Sequence, residues 1–342
     1  MRNNSTYSLL TGCLMALCLY ACKSGNKAPD VSHIPMNVSI QRFDSALFTL
    51  DTNNVLAGLP RLHETYPLFT PIYLSEIMNM GAYGDSSKEL AQQLRLFLTN
   101  KDFRQLAADV NQRFGNTAPL KKQLEEAFRY TKYYIPAFRT PKVVTFTSAI
   151  ANYGAITIDS ILGIGLDMYM GADFPPYAQI PDYPEYMIRR FAPEYITTNC
   201  MQVLQQQMYP SPRNGGGLLE QMIEAGKQQY FLSKVLPDTP DSIRFGYTNE
   251  QLQWCRDNEK MIWNFFVQHN LLYTTDWQQI NLFMNDAPAT QGMPEGSPGK
   301  IGYFVGYEIV NKYMEKHADV TVQQLMESKN VLEIFKAARY RP

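Results

Sequence analysis

The chain has 342 residues, and its 31 basic and 32 acidic side chains leave a net charge of -1. That balance gives no electrostatic footprint for a nucleic-acid partner, so none is expected. With 45% hydrophobic residues, 18% charged residues and a mean hydropathy of -0.29, the composition excludes a multi-pass membrane protein, a disordered tail and a fibrous repeat, and leaves a chain long enough for one large core.

The first informative stretch is the N-terminus. Arg2 is the only charge before an apolar run from Leu9 to Leu19, which is too short to remain as a membrane-spanning helix. The run ends in Leu19-Tyr20-Ala21-Cys22, the leucine, small residue and cysteine of a bacterial lipobox, with Tyr20 bulkier than usual. Residues 1–21 therefore read as a lipoprotein signal peptide, and Cys22 as the first mature residue and the lipidation site. The alternative is a plain secretory signal cut near Ala16 or Ala21. Acyl chains contribute roughly 0.8 kcal/mol per buried methylene, enough for two or three of them to hold a soluble domain on a bilayer. Residues 22–33 form a polar tether without an acidic cluster, which favours a periplasm-facing anchor. Loss of Arg2 with the signal leaves about two net negative charges, so nothing drives the body itself onto anionic lipid.

Residues 34–342 read as a single mostly helical globular domain of α+β class with a small sheet. Val38 to Phe43 alternates weakly and Asp44 to Leu50 takes up helical spacing. Residues 86–130 read as two helices. Lys142 to Ile150 is β-branched and aromatic, and Ala155 to Tyr169 reads as a pair of short strands broken by Gly163 and Gly165. After a proline-punctuated loop, Pro193 opens a helix continued by Met201, Leu204 and Met208. Gly215 to Gly217 breaks the chain before a helix marked by Leu219, Met222, Ile223, Gly226 and Tyr230. Thr248 and Gln251 have capping-box spacing ahead of the stripe Leu252, Cys255, Ile262 and Phe266. A Pro- and Gly-rich loop from Asp286 to Lys300 precedes a last apolar stripe through Phe304, Tyr307, Val310 and Met314.

Chemical motifs are scarce. The four histidines, His33, His63, His269 and His317, include no pair one helical turn apart, so no metal site is expected, and no cofactor. There is no GxSxG elbow. Gly163-Ile164-Gly165 lacks the third glycine of a dinucleotide loop, and Gly215 to Gly217 has no Lys-Ser/Thr after it. Glu224 and Lys227 are spaced for an ion pair across one helical turn. Glu125-Glu126 and Asp182 with Glu185 read as solvated charge. Once Cys13 and Cys18 leave with the signal and Cys22 is acylated, Cys200 and Cys255 remain, as one disulfide or as two separate buried thiols.

Several runs taken together are similar to the gliding-motility lipoprotein GldB family. They include Arg42-Phe43-Asp44 with Leu47-Phe48, Tyr134-Ile135-Pro136, Gly165-Leu166-Asp167-Met168-Tyr169, Arg189-Arg190-Phe191 and Pro193-Glu194-Tyr195. Tyr247-Thr248, Trp254-Cys255, Asn258-Glu259, Ile262-Trp263, Leu271-Leu272-Tyr273 and Ser297-Pro298-Gly299 continue the series across nearly the whole mature chain. The resemblance implies a lipoprotein of the cell envelope; with the missing metal ligands and the tether's lack of acidic residues, the expectation is a non-catalytic protein anchored in the outer membrane and facing the periplasm. It would act within the gliding machinery linked to type IX secretion, with the membrane and other gliding or secretion proteins as partners.

A fainter similarity of fold connects the chain to gluzincin-type metallopeptidases. Pro193-Glu194-Tyr195-Ile196-Thr197 stands where that group has HExxH, and Glu224-Ala225-Gly226 where it has its third ligand. Pro193 and Thr197 replace the two ligand histidines, which makes the chain a degenerate, retired peptidase. Its vestigial cleft would hold Glu194, Glu224 and Tyr303. The rival reading is an envelope hydrolase with an atypical site around those three residues.

Overall fold

The computed structural model describes residues 28–342 apart from 85–87, 152 and 212–215. The signal segment and Cys22 lie outside the described residues. The compact body runs from Val31, itself buried, to Pro342.

It opens with strand β1 (Ile40–Arg42) and helices α1 (Phe43–Leu47), α2 (Val55–Thr65) and α3 (Phe69–Ile72). Three helices follow, α4 (Lys88–Thr99), α5 (Lys101–Phe114) and α6 (Ala118–Tyr134), where the periodicity predicts two. The division has a local cause. The Asn100 side chain accepts hydrogen bonds from the amides of Asp102 and Phe103 at 2.8 and 3.3 Å, which starts a new helix one residue after α4 ends.

Strands β2 (Lys142–Phe146), β3 (Ala155–Ile158) and β4 (Ile161–Gly165) complete a four-stranded sheet in the order β1-β2-β4-β3. β1, β2 and β4 are parallel, with Val143 between Ile40 and Leu162, and β3 runs antiparallel to β4. β4 is buried throughout and β2 from Val143 onward, as parallel strands covered on both faces must be. One covering layer is an aromatic core in which Phe43 meets Tyr66, Phe69 and Tyr73 at centroid distances of 4.7 to 5.2 Å, and Phe69 in turn meets Phe146. The expected break at Gly163 and Gly165 falls instead at Asp159, which turns the chain with a φ of 48°. Both glycines lie inside β4. A Cβ at 163 would press on Ile156, and one at 165 would overlap the carbonyl of Tyr153.

The second half is helical. α7 (Glu185–Ile188) and a single turn at Pro193–Tyr195 lead into α8 (Ile196–Met208), which packs on β3 and β4. α9 (Leu218–Val235) is buried almost all round, and α10 (Asp241–Phe245) follows it. The aromatic-rich stripe that reads as one helix is two, α11 (Asn249–Asp257) and α12 (Glu259–Gln268). Asn258 separates them because its side-chain amide donates to the carbonyl of Trp254 at 2.9 Å, competing with the helix ladder. α13 (Trp277–Met284), α14 (Ile301–Lys316), α15 (Val322–Glu327) and α16 (Val331–Ala338) complete the body.

The closest association in the molecule is α9 against α14. Gly226 faces Gly306 across the crossing, and a Cβ on either would overlap backbone of the other helix, the carbonyl of Gly306 or that of Met222. Only glycine lets two helix backbones approach so far. Further out on α14, Glu308 is half-buried. Burial first, and then the neighbouring Glu259, push its carboxyl up to about 7, with Glu315 and Asp241 adding and Arg256 opposing.

Gly306→Ala must separate the two helices or bend one of them, and is expected to cost about 3 kcal/mol, read as a fall in the urea midpoint at unchanged m-value. Glu308 takes up its proton more readily folded than unfolded. Its contribution to stability is therefore full below the unfolded value of 4.5 and lost as pH rises through about 7. Glu308→Gln is accordingly expected to match the native chain in Tm near pH 4 and to exceed it above pH 7. A pH series of thermal melts checks both arms.

Candidate functional site

Two adjoining clefts flank Glu224, on the exposed side of α9. The first, about 470 Å³, lies between α8, α9, the end of α13 and the start of α14, and its walls include Gln205, Gln221, Gln228, Asn285 and Tyr303. The second, about 550 Å³, runs between the C-terminal end of α8 and α15, along Met208, Tyr209, Lys227, Met326 and Lys329. Glu224 and Gln205 line both.

Position along α9 explains this arrangement. The Glu220 carboxylate accepts from the Gly217 amide at 2.8 Å and starts the helix, and one turn later Glu224 emerges at the surface. Lys227, a further turn on, is buried and holds Glu224 at 3.1 Å while donating to the Ser328 carbonyl at 2.8 Å. The expected ion pair is present, and its lysine also ties the loop after α15 to α9. Tyr303 occupies the first turn of α14, with the Lys300 ammonium 4.4 Å from its ring centre. Lys300 in turn stands near Asp286, which Arg190 grips at 3.0 Å. Burial, and secondarily Asp286, raise the Tyr303 phenol, so it enters the cleft as a neutral hydroxyl.

Glu194 is elsewhere. It is exposed on the turn before α8 and lines a separate groove of about 500 Å³ with Glu126, Thr197 and Asp238. The structure therefore brings Glu224 and Tyr303 together and leaves Glu194 out, because Pro193 to Tyr195 form a turn and not part of the α8 helix. Thr197 bonds Gln123 at 3.3 Å on that other side. Pro193, at the start of the same turn, does not line the cleft of Glu224.

Three of the four histidines make local packing or hydrogen-bond contacts. His269 and His317 end α12 and α14 and bond the carbonyls of Phe265 and Tyr313 at 2.8 Å, while His63 stacks on Tyr83. Among the described residues, no group of three or more His, Cys, Asp or Glu side chains is placed to hold a metal ion. Glu125, expected in solvent, instead accepts from the Val38 amide at 3.0 Å and pairs with Lys121 and Arg129, fastening the entry to β1 onto α6.

Sequence reasoning passed over Asp167. This fully buried carboxylate follows β4 and accepts from the amides of Ser148 and Ile150 at 2.9 and 2.7 Å. Those bonds hold the turn after β2, where Ala149 and Ile150 both have positive φ, a costly conformation for a β-branched residue. Burial raises Asp167 to about 6, against the lowering pull of the two amides. The available signal was its place in the run from Gly165 to Tyr169, directly after a buried strand. Cys200 and Cys255 are two separate buried thiols, on α8 and α11, which is the unpaired one of the two alternatives. Burial raises both, Cys255 to about 12.

The molecule is thus a mostly helical α+β protein with a four-stranded mixed sheet and two clefts astride one glutamate. The family model of the gliding motility protein GldB matches residues 24–342, and the chain belongs to that family, whose role is that of a gliding-motility lipoprotein. No curated protein and no solved structure matches the chain.

The mature, lipid-modified protein is expected to show no thiol reactive toward Ellman's reagent when folded. In denaturant without reductant it should show two. A disulfide between Cys200 and Cys255 would instead leave none in either state.

Proposed function

We propose that this protein is a non-catalytic lipoprotein, held in the outer membrane by acyl chains on Cys22, that works in the gliding machinery linked to type IX secretion by binding other envelope components. The family match over residues 24–342 carries the reading. The character of the clefts supports it, since carboxamides dominate the first of them, and such groups bind ligands without exchanging protons at neutral pH. Further support comes from Tyr273, 70% exposed on the loop leading into α13, and Trp277, 67% exposed as the first residue of that helix. That loop is fastened to the start of α9, where the Leu218 and Leu219 amides donate to the carbonyls of Thr274 and Leu272 at 3.0 and 2.9 Å. Exposed aromatics on a fixed backbone are the kind of residue that dominates protein–protein binding energy.

A clean deletion in a gliding host is expected to stop colony spreading and to lower secretion of type IX cargo. A wild-type copy should restore both. A Cys22→Ala copy should accumulate in the soluble periplasm and fail to restore spreading. Normal gliding and secretion in the deletion strain would overturn the role, and continued sedimentation of Cys22→Ala with membranes would overturn the anchor.

A further inference from the structure

We infer that the cleft between α8 and α9 binds a neutral saccharide of about two sugar units. The inference rests on the binding role proposed above and assigns a ligand class to one of its surfaces.

Five side-chain amides converge on the cleft, from Gln205, Gln206, Gln221, Gln228 and Asn285. Two of them are more than nine-tenths buried: Gln205 is 6% exposed and Gln228 8%. They are bonded to each other, Gln228 Nε2 donating to Gln205 Oε1 at 3.0 Å. Beyond that bond, the Gln205 amide nitrogen reaches only the Met326 sulfur at 3.9 Å, a weak acceptor, and Gln228 Oε1 has no donor among the described residues. Buried amides normally satisfy their hydrogen bonds within the protein. Here donor and acceptor capacity is left over at the wall of a cavity, where a ligand would complete it.

The chemistry of that ligand follows from the rest of the wall. A carboxamide offers a donor and an acceptor side by side, which matches the donor-and-acceptor character of adjacent hydroxyls. Among the described residues no lysine or arginine lines the cleft, so nothing described there favours a phosphate or carboxylate, and the charge of Glu224 is already neutralised by Lys227. Apart from Ser211 and Asn285, the described lining residues lie on helices whose backbone groups are taken up in their own ladders, and among the described residues no strand borders the cleft for an extended peptide to pair with. Met284 and Ala225 add a small apolar surface suited to the C–H face of a sugar ring or the methyl of an N-acetyl group. The volume of about 470 Å³ accommodates a disaccharide.

The test uses the full-length chain in a detergent without a sugar headgroup, titrated with N,N′-diacetylchitobiose and, separately, cellobiose, followed by calorimetry and saturation-transfer NMR. Saturable binding of at least one disaccharide is expected. Asn285→Ala and Gln221→Ala, both at the more open part of the wall, should each weaken it about fivefold, the equivalent of one hydrogen bond, at unchanged Tm. Gln228→Leu should abolish it. Absence of saturable binding to both sugars, binding indifferent to Asn285→Ala and Gln221→Ala, or equal competition by trialanine would each overturn the saccharide assignment. The gliding phenotype of the deletion strain is read independently, so failure here and failure of the proposed role are separate results.

Discussion

The contact on which the rest of the molecule depends is the crossing of α9 and α14 at Gly226 and Gly306. Because neither residue carries a Cβ, the two backbones meet directly, and α9 becomes a central post rather than a surface helix. α6, α8, α10, α13, α15 and α16 all pack against it. The same closeness organises the clefts. It places Tyr303, in the first turn of α14, across from Glu224 and Gln228 on α9, so both helices furnish walls of one cavity. A larger residue at either glycine would overlap the backbone of the other helix and so shift these walls relative to one another.

Polar groups inside the body serve mainly as fasteners. Arg42 chelates Asp44 through two nitrogens and also reaches the Phe114 carbonyl at 2.8 Å, while Thr145 donates to Asp44 at 2.6 Å, which joins the end of β1 to α5 and β2. Asp167 does the same for the strained turn after β2, and Lys227 for the loop after α15. Each of these charges sits where the free-energy cost of burial is offset by several directed bonds, so removing one partner leaves the other stranded. Gln205 and Gln228 differ from this pattern, since their spare hydrogen-bonding capacity faces a cavity.

Much of this architecture was legible in one dimension. The β-branched run from Lys142, the strand pair before Tyr169, the capping box of Thr248 with Gln251, the stripe of α9 and the Glu224–Lys227 pair all appear where pattern places them. Such features depend on residues within a few positions of one another, and local chemistry decides them. The errors also have local causes. Asn100 and Asn258 divide helices through side-chain bonds that periodicity does not register, and Gly163 and Gly165 look like breakers although they serve close packing inside β4.

The sequence by itself determined the α+β character, the helical stripes, and the series of runs that carries the family resemblance, because each is a matter of order and spacing along the chain. Only the tertiary structure decided that Glu224 shares a cleft with Tyr303 and not with Glu194, that Cys200 and Cys255 stay apart, and that Asp167 and Glu125 are structural ties. Those outcomes turn on which faces of distant helices meet. That meeting is set by the close approach at Gly226 and Gly306, two residues 80 positions apart whose significance lies in a side chain that neither possesses.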